Sequence, residues 1–244
     1  MRPYLGVIPA RYQSSRYPGK PLVHILGKPL VIWVAEKAVA ALGKENVVVA
    51  TDDDRIFQCV EEAGFEAVMT SSEALTGTDR IWEVAQKIPS DCYINIQGDE
   101  PMVDPQDIIK IRDKKLAYPD RIVNGYSTLM AQEDPHSLNI PKVLFSESGN
   151  LLYMSRMAIP GRKAPEKNGI PTYYKQVSIY AFNYNELKAF GHRTRKTAAE
   201  LHEDIEILRF LEMDIPVQMV ELSGNTLAVD APEDVKMVEA ALTK

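Results

Sequence analysis

Apolar residues along the chain follow two alternating periods. Short β-branched runs read as buried strands, and stretches with apolar positions three or four residues apart read as helices. YLGVIPA (4–10) is strand-like and ends at proline. PLVIWVAEKAVAALG (29–43) places Ile32, Ala35, Val39 and Leu42 on one helical face, with Gly43 as its stop. NVVVATDD (46–53) is a run suited to burial on both faces, as in a parallel sheet. DDRIFQCVEEAGFE (53–66) returns to helical spacing and closes at Gly64, before a short strand at 66–70. A helix over 78–88, capped by Thr78 or Asp79, leads to a strand in CYINIQGDEP (92–101). Asp104 and Pro105 then open a helix over 103–118.

Residues 1–120 thus read βαβαβαβα, the pattern of a doubly wound, mostly parallel sheet with ligands outside the carboxyl ends of its strands. Beyond them, IVNGYSTLMA, PKVLFSESGNLLYMSR, KQVSIYAFN, PVQMVEL and TLAVD read as strands. HEDIEILRFLEMD is helical through Ile205, Leu208 and Leu211, and APEDVKMVEAALTK is a closing helix. No linker or repeat divides the chain. The expectation is a single α/β domain over 1–244, three-layered with a mixed, mostly parallel sheet. Residues 1–120 form the half with the regular βα alternation, and residues 121–244 form the more mixed half. The Pro-, Gly- and Lys-rich stretch 155–175 lacks periodicity and reads as a protruding loop or arm.

Composition narrows the function. A net charge of −6 argues against general nucleic-acid binding. No apolar run suits a membrane-spanning helix or a signal sequence, so the expected compartment is the cytoplasm. Cys59 and Cys92 lack the spacing of a zinc site or disulfide framework. The charge is uneven, however. Arg2, Arg11, Arg16, Lys20 and Lys28 all precede the first acidic residue, Glu36. Either this is chance clustering or the N-terminal region holds an anion.

The segment PARYQSSRYPGKPL (9–22) lies between a strand and a helix, where an α/β sheet places its ligand. Arg11, Ser14, Ser15, Arg16 and Lys20 offer the charges and donors a triphosphate needs, without Walker A or GxGxxG spacing. A solvated basic loop is the competing reading. Asp99 follows a buried strand, where a carboxylate meets ligand and can hold Mg²⁺ together with phosphate oxygens and water. Asp230 has the same context in LAVDAPED, and equally suits a helix cap. Asp52, Asp53 and Asp54 read chiefly as caps, and His24, His136, His192 and His202 as ordinary histidines.

IPARYQSSRYPGKPL resembles the opening signature of the CMP-Kdo synthetases, cytidylyltransferases that activate 3-deoxy-manno-octulosonate (Kdo). VVVATDDDRI, VMTSSEALTGTDRI, NIQGDEPMV, PKVLF…GNLLYMSRMAIP and VDAPEDV are similar to further blocks of that family, in the same order. The resemblance spans residues 4 to 238 and implies a nucleotide-diphospho-sugar-transferase-like fold. It also implies that Arg11, Ser14, Arg16 and Lys20 hold the triphosphate of CTP. Ala10, Thr78 and Arg80 then surround the nucleotide, and Gln97 lies near the boundary between base and sugar. Lys20, Asp99 and Arg11 carry the chemistry, and Asp99 and Asp230 bind Mg²⁺. Arg156 and Tyr180 face the acidic sugar, with Glu206 close by. The family is typically homodimeric, and its product feeds lipopolysaccharide or capsule assembly. Gln176 departs from it, standing where a sugar-contacting histidine is expected. Ile207 replaces a polar residue, and VDAPED replaces VDTPED. The nucleotide half is intact and the sugar half altered, so the expected acceptor is Kdo, a modified Kdo such as the 8-amino form, or another 3-deoxy-2-ulosonate.

Overall fold

The structure, a computed structural model, describes residues 2–14, 17–163, 169, 171–224 and 226–243. Among them, nine strands form one sheet. Its spine runs β11 (Val217–Glu221), β7 (Ile122–Thr128), β10 (Tyr174–Phe182), β6 (Tyr93–Ile96), β1 (Leu5–Ala10), β4 (Val47–Thr51), β5 (Glu66–Met69). β6, β1, β4 and β5 pair in parallel, as do β7 and β11. β10 runs antiparallel to both of its spine neighbours, β6 and β7. The hairpin β8 (Lys142–Phe145) and β9 (Leu151–Ser155) joins through a pairing of β8 with β10. A two-stranded ribbon, β2 (His24–Ile25) and β3 (Lys28–Pro29), stands apart.

Helices cover both faces, because every central strand sends successive side chains to opposite sides. On one face Ile8 and Ala10 of β1 meet α1 (Leu30–Leu42), α2 (Asp54–Glu62) and α4 (Pro105–Ala117). On the other, Leu5 and Val7 meet α3 (Gly77–Lys87), α5 (Tyr184–Gly191) and α7 (Ile207–Leu211). α6 (Ala198–Glu203) precedes α7, and α8 (Asp234–Leu242) closes the chain. Each buried Leu, Ile or Phe on these faces contributes about 2 kcal/mol of burial. Val238 of α8 packs with Ile25, Leu30 and Val229 in a small separate cluster, which ties the segment around residue 230 to the ribbon and to α1.

The caps follow local chemistry. Asp53 accepts from Arg55 N at the start of α2, and Asp104 from Gln106 N ahead of Pro105. Three expectations change. α3 starts at Gly77 with Thr76 as its cap, not Thr78 or Asp79. The helix expected through 202–214 is broken, since Asp204 takes a left-handed φ of 51° between α6 and α7. Residues 226–230 form no strand; Val229 N–H donates to the carbonyl oxygen of Asp99 at 2.9 Å. Of the 155–175 segment, residues 164–168 and 170 lie outside the described residues. No helix among the described residues is long and apolar enough to cross a membrane.

Candidate active site

A cavity of about 440 Å³ opens beyond the carboxyl ends of β1 and β6. One wall is the loop after β1, with Ala10, Arg11, Ser14 and Lys20. A second is the turn after β6, with Gln97, Gly98 and Asp99. Ala74 to Gly77 and Arg80, at the N-terminus of α3, form a third, and Lys196, Asp204, Glu206 and Asp230 close the space. Both halves of the sequence therefore line one cavity.

The loop after β1 is pinned from several sides. Gly19 N–H donates to the Tyr12 carbonyl at 2.8 Å, closing the loop on itself with Gly19 at a φ of 72°. Tyr12 N–H donates to Asp52, and the Arg55 guanidinium stacks 3.4 Å from the centre of the Tyr12 ring. Asp52 is thus no helix cap: its carboxylate also pairs with Arg80 at 3.1 Å. Arg11 is exposed on the cavity wall, and Ser14 accepts from Tyr17 N. Arg16 lies outside the described residues.

Lys20 reaches across the floor. Its Nζ lies 2.7 Å from Asp99 Oδ2 and 3.6 Å from Asp230 Oδ1. Asp230 does not cap α8; Asp234 instead accepts from the backbone N–H groups of Asp230 and Ala231. Gly98 makes the approach possible. A Cβ there would lie 2.5 Å from the Pro9 carbonyl oxygen, so only glycine lets the turn after β6 lie against the end of β1.

Glu206 clamps the third wall. Its carboxylate accepts from the N–H groups of Gly77 and Thr78 and from the Thr78 hydroxyl, satisfying free donors at the N-terminus of α3. Burial pushes its carboxyl above the usual carboxylate range, and these hydrogen bonds pull the other way. Thr78 is fully buried, and its hydroxyl is turned to Glu206 rather than to the cavity. Behind this contact, Arg209 links Asp79 at 3.1 Å to Glu200 at 2.6 Å. At the cavity mouth Lys196 pairs with Asp204, a contact that draws the Asp204 carboxyl below its ordinary range.

The residues assigned to the sugar divide. Glu206 lines the cavity, whereas Arg156, Gln176 and Tyr180 do not. Arg156 spends its guanidinium on the carbonyls of Leu138, Glu203 and Asp204. Tyr180 is buried, which pushes its hydroxyl pKa up, and the charges of Glu206, Glu100 and Asp99 add to the effect. Gln176 Nε2 donates to Asn124 Oδ1 at 3.1 Å and to the Tyr180 hydroxyl at 3.3 Å. Ile207 is fully buried in the core.

Several residues escape the sequence reading. Glu100 is buried behind Asp99, where desolvation first and the Asp99 charge second push its carboxyl up to about 8. Lys196 and Asp204 carry no motif, and the clamping role of Glu206 needs the break at Asp204, which no periodicity marks. The Gly98 contact is visible only once β1 and β6 are neighbours.

The donor set fits a magnesium ion. An ammonium already stands between Asp99 and Asp230, both of them hard oxygen donors. No group of three or more His, Cys, Asp or Glu suited to a metal occurs among the described residues. Two carboxylates with phosphate oxygens and water match the way Mg²⁺ binds beside triphosphates.

Known proteins resemble this chain along nearly its whole length. Residues 5–217 match the family model described as "Cytidylyltransferase". The chain is 36% identical to the 3-deoxy-manno-octulosonate cytidylyltransferase of Lawsonia intracellularis, over 99% of this chain and 94% of that one. It is 38% identical to the 8-amino-3,8-dideoxy-manno-octulosonate cytidylyltransferase of Shewanella pealeana, over 97% of each. Its structure superposes with a TM-score of 0.90 on a CMP:2-keto-3-deoxy-manno-octonic acid synthetase complexed with CTP, at 36% identity and 98% coverage of both chains. With the basic loop after β1, the paired carboxylates and this full-length similarity in agreement, the chain belongs to the cytidylyltransferase family, among the 3-deoxy-manno-octulosonate cytidylyltransferases.

Proposed function

We propose that the protein joins CTP to the anomeric hydroxyl of Kdo or a close analogue, giving a CMP-sugar and pyrophosphate. The observation that carries this reading is Lys20 held between Asp99 and Asp230 on the floor of a cavity that Arg11 and Arg80 also line. Arg11, Ser14 and Lys20 receive the triphosphate, with Arg16 on the same loop. Ala10, Gln97 and Arg80 bound the nucleotide. Thr78 contributes indirectly, by fixing the N-terminus of α3 through Glu206.

The sugar hydroxyl oxygen forms a bond to the α-phosphorus, the bond from that phosphorus to the bridging oxygen breaks, and pyrophosphate leaves. The hydroxyl proton passes to solvent. Charge grows on the leaving oxygens, and Lys20 with Arg11 is placed to meet it. Asp99 and Asp230 would hold Mg²⁺, which when bound supplies positive charge to the phosphates and acidity to the attacking hydroxyl. Residues 1–120 act chiefly on the nucleotide and 121–244 chiefly on the sugar, in one domain. The exposed Leu152 and Tyr153 of β9, with the exposed Met157 of the 155–175 segment, support a homodimer. The setting proposed is the cytoplasm, with the product feeding lipopolysaccharide or capsule.

Pyrophosphate release is the test, measured with each nucleoside triphosphate, Mg²⁺ and a panel of 2-ulosonic acids, with Asp99→Asn as the control. Release with CTP and Kdo that is lost in Asp99→Asn is the expected result. No release with CTP and any acid would sink the reading. A second reading, an 8-amino acceptor, is favoured by Gln176 at the position where the family resemblance expects histidine. Turnover with 8-amino-3,8-dideoxy-manno-octulosonate but not Kdo would select it.

A further inference from the structure

The pairing of β10 with β7 is interrupted. Val177 stands opposite Gly125, yet the next pair is Tyr180 opposite Asn124, so Ser178 and Ile179 bulge from the ladder. Such a bulge leaves backbone groups without ladder partners and re-aims the side chains around it. Asn124 takes up the slack. Fully buried on β7, it donates through Nδ2 to the carbonyls of Val177 at 3.0 Å and Ile179 at 3.2 Å. Its Oδ1 accepts from Gln176 Nε2, which also donates to the Tyr180 hydroxyl. One carboxamide therefore binds both sides of the bulge and the side chain that precedes it.

Across the sheet, Asn95 of β6 stands directly opposite Tyr180. Asn95 is fully buried, and neither of its side-chain polar atoms has a partner. Tyr180 is thus flanked by two buried amides, one fully engaged and one with spare hydrogen-bonding capacity. Gln176, Asn124 and Asn95 carry no charge between pH 5 and 9, so they suit a neutral hydroxyl-bearing part of a ligand rather than its carboxylate. Ile179 stands opposite Ile96, the last residue of β6, so the start of β10, with Gln176, extends past that strand toward the turn that carries Gln97 and Asp99.

We propose that Asn124 is a positioning residue for the acceptor: by bracing the β10 bulge it holds Gln176 and Tyr180 as one neutral hydrogen-bonding pair that reads the uncharged part of the sugar. This rests on the proposed function and on the acceptor role that the family resemblance implies for Gln176 and Tyr180, which stand next to the cavity lining rather than in it. Asn124→Leu keeps a branched side chain, though a bulkier one, and removes every bond that the carboxamide makes. The expected result is a KM for the acceptor raised at least about tenfold, the cost of roughly one hydrogen bond, with the KM for CTP within about twofold. In a Gln176→Ala background the same change should raise the acceptor KM less than about threefold, because the two residues act through one contact. Asn124→Asp, which keeps the acceptor for Gln176 and loses both donors to the bulge, serves if the leucine variant does not fold; its acceptor KM should rise while its KM for CTP holds. A further readout separates recognition from stability. Gln176→His should make the acceptor KM depend on pH near the histidine range, around 6.5, whereas the wild type shows no such step. Equal rises in both KM values, or additive losses in the double variant, would overturn the assignment of Asn124. A wild-type protein inactive with every acid overturns the functional reading itself, and the inference with it.

Discussion

Lys20 Nζ sits 2.7 Å from Asp99 Oδ2 and 3.6 Å from Asp230 Oδ1, so one ammonium bridges two carboxylates that lie far apart in the chain. On the proposed function, Asp99 and Asp230 would hold Mg²⁺ once the Lys20 ammonium turned from them to the phosphates of a bound triphosphate. Lys20→Met removes the internal cation. Mn²⁺ binding to the free protein, followed by electron paramagnetic resonance, should tighten in this variant, while turnover falls at least about a hundredfold. Weaker Mn²⁺ binding would contradict the view that Lys20 occupies the metal's place.

Gly98 tests the geometry of the same floor without touching a charge. Alanine there brings its Cβ against the Pro9 carbonyl, a backbone atom with no freedom to step aside. The turn that carries Asp99 must shift, and catalytic groups displaced by an ångström lose on the order of a hundredfold in rate. Gly98→Ala should therefore lose turnover while its far-ultraviolet circular dichroism stays that of the parent. Unchanged turnover would show that the contact is relaxed elsewhere.

Lys115 and Glu186 form a pair that is almost wholly buried, 2.7 Å apart, tying α4 to the start of α5. Burial pushes the lysine down and the glutamic acid up, and their mutual attraction opposes both shifts. Lys115 also donates to the carbonyls of Pro119 and Arg121. Lys115→Met leaves a buried carboxylate alone and should cost about 3–5 kcal/mol in urea unfolding. Adding Glu186→Gln removes that charge and should recover part of the loss. A double variant less stable than the single one would contradict this.

Burial pushes the Cys92 thiol up to about 12 and also raises Cys59, which is half-buried. Thiolates are the reactive form, so at pH 8 on the order of one Cys92 in ten thousand is ionised. A disulfide exchange reagent should modify Cys59 alone in the folded protein and reach Cys92 only on unfolding. Rapid modification of two thiols under native conditions would show that the strand is open to solvent.

Much of this was legible from sequence where the signal is local. The apolar runs of β1, β4 and β6 and the caps Asp53 and Asp104 follow from neighbours a few residues away. The loop carrying Arg11, Ser14 and Lys20 and the strand-end Asp99 were readable for the same reason, as both follow a strand in a parallel sheet. Errors arose where distant contacts decide. The Glu206 carboxylate holds the N-terminus of α3, so that helix starts at Gly77, and the left-handed Asp204 breaks a pattern that reads as continuous helix. Asp230 owes its place to a backbone bond with Asp99 and to the Val238 cluster rather than to a strand. Arg156 carries charge suited to an acidic sugar, yet it is used to hold backbone carbonyls.

The reversed direction of β10 has an evolutionary consequence. Because it runs against β6 and β7, its opening residues, Gln176 among them, lie level with the closing residues of β7 and past the end of β6. On the proposed function, substitutions at the start of this one strand retune which acid is accepted, while the strands that deliver Arg11, Lys20 and Asp99 keep their sequence. On that reading, donor and acceptor recognition are separable traits, free to diverge at different rates within one sheet.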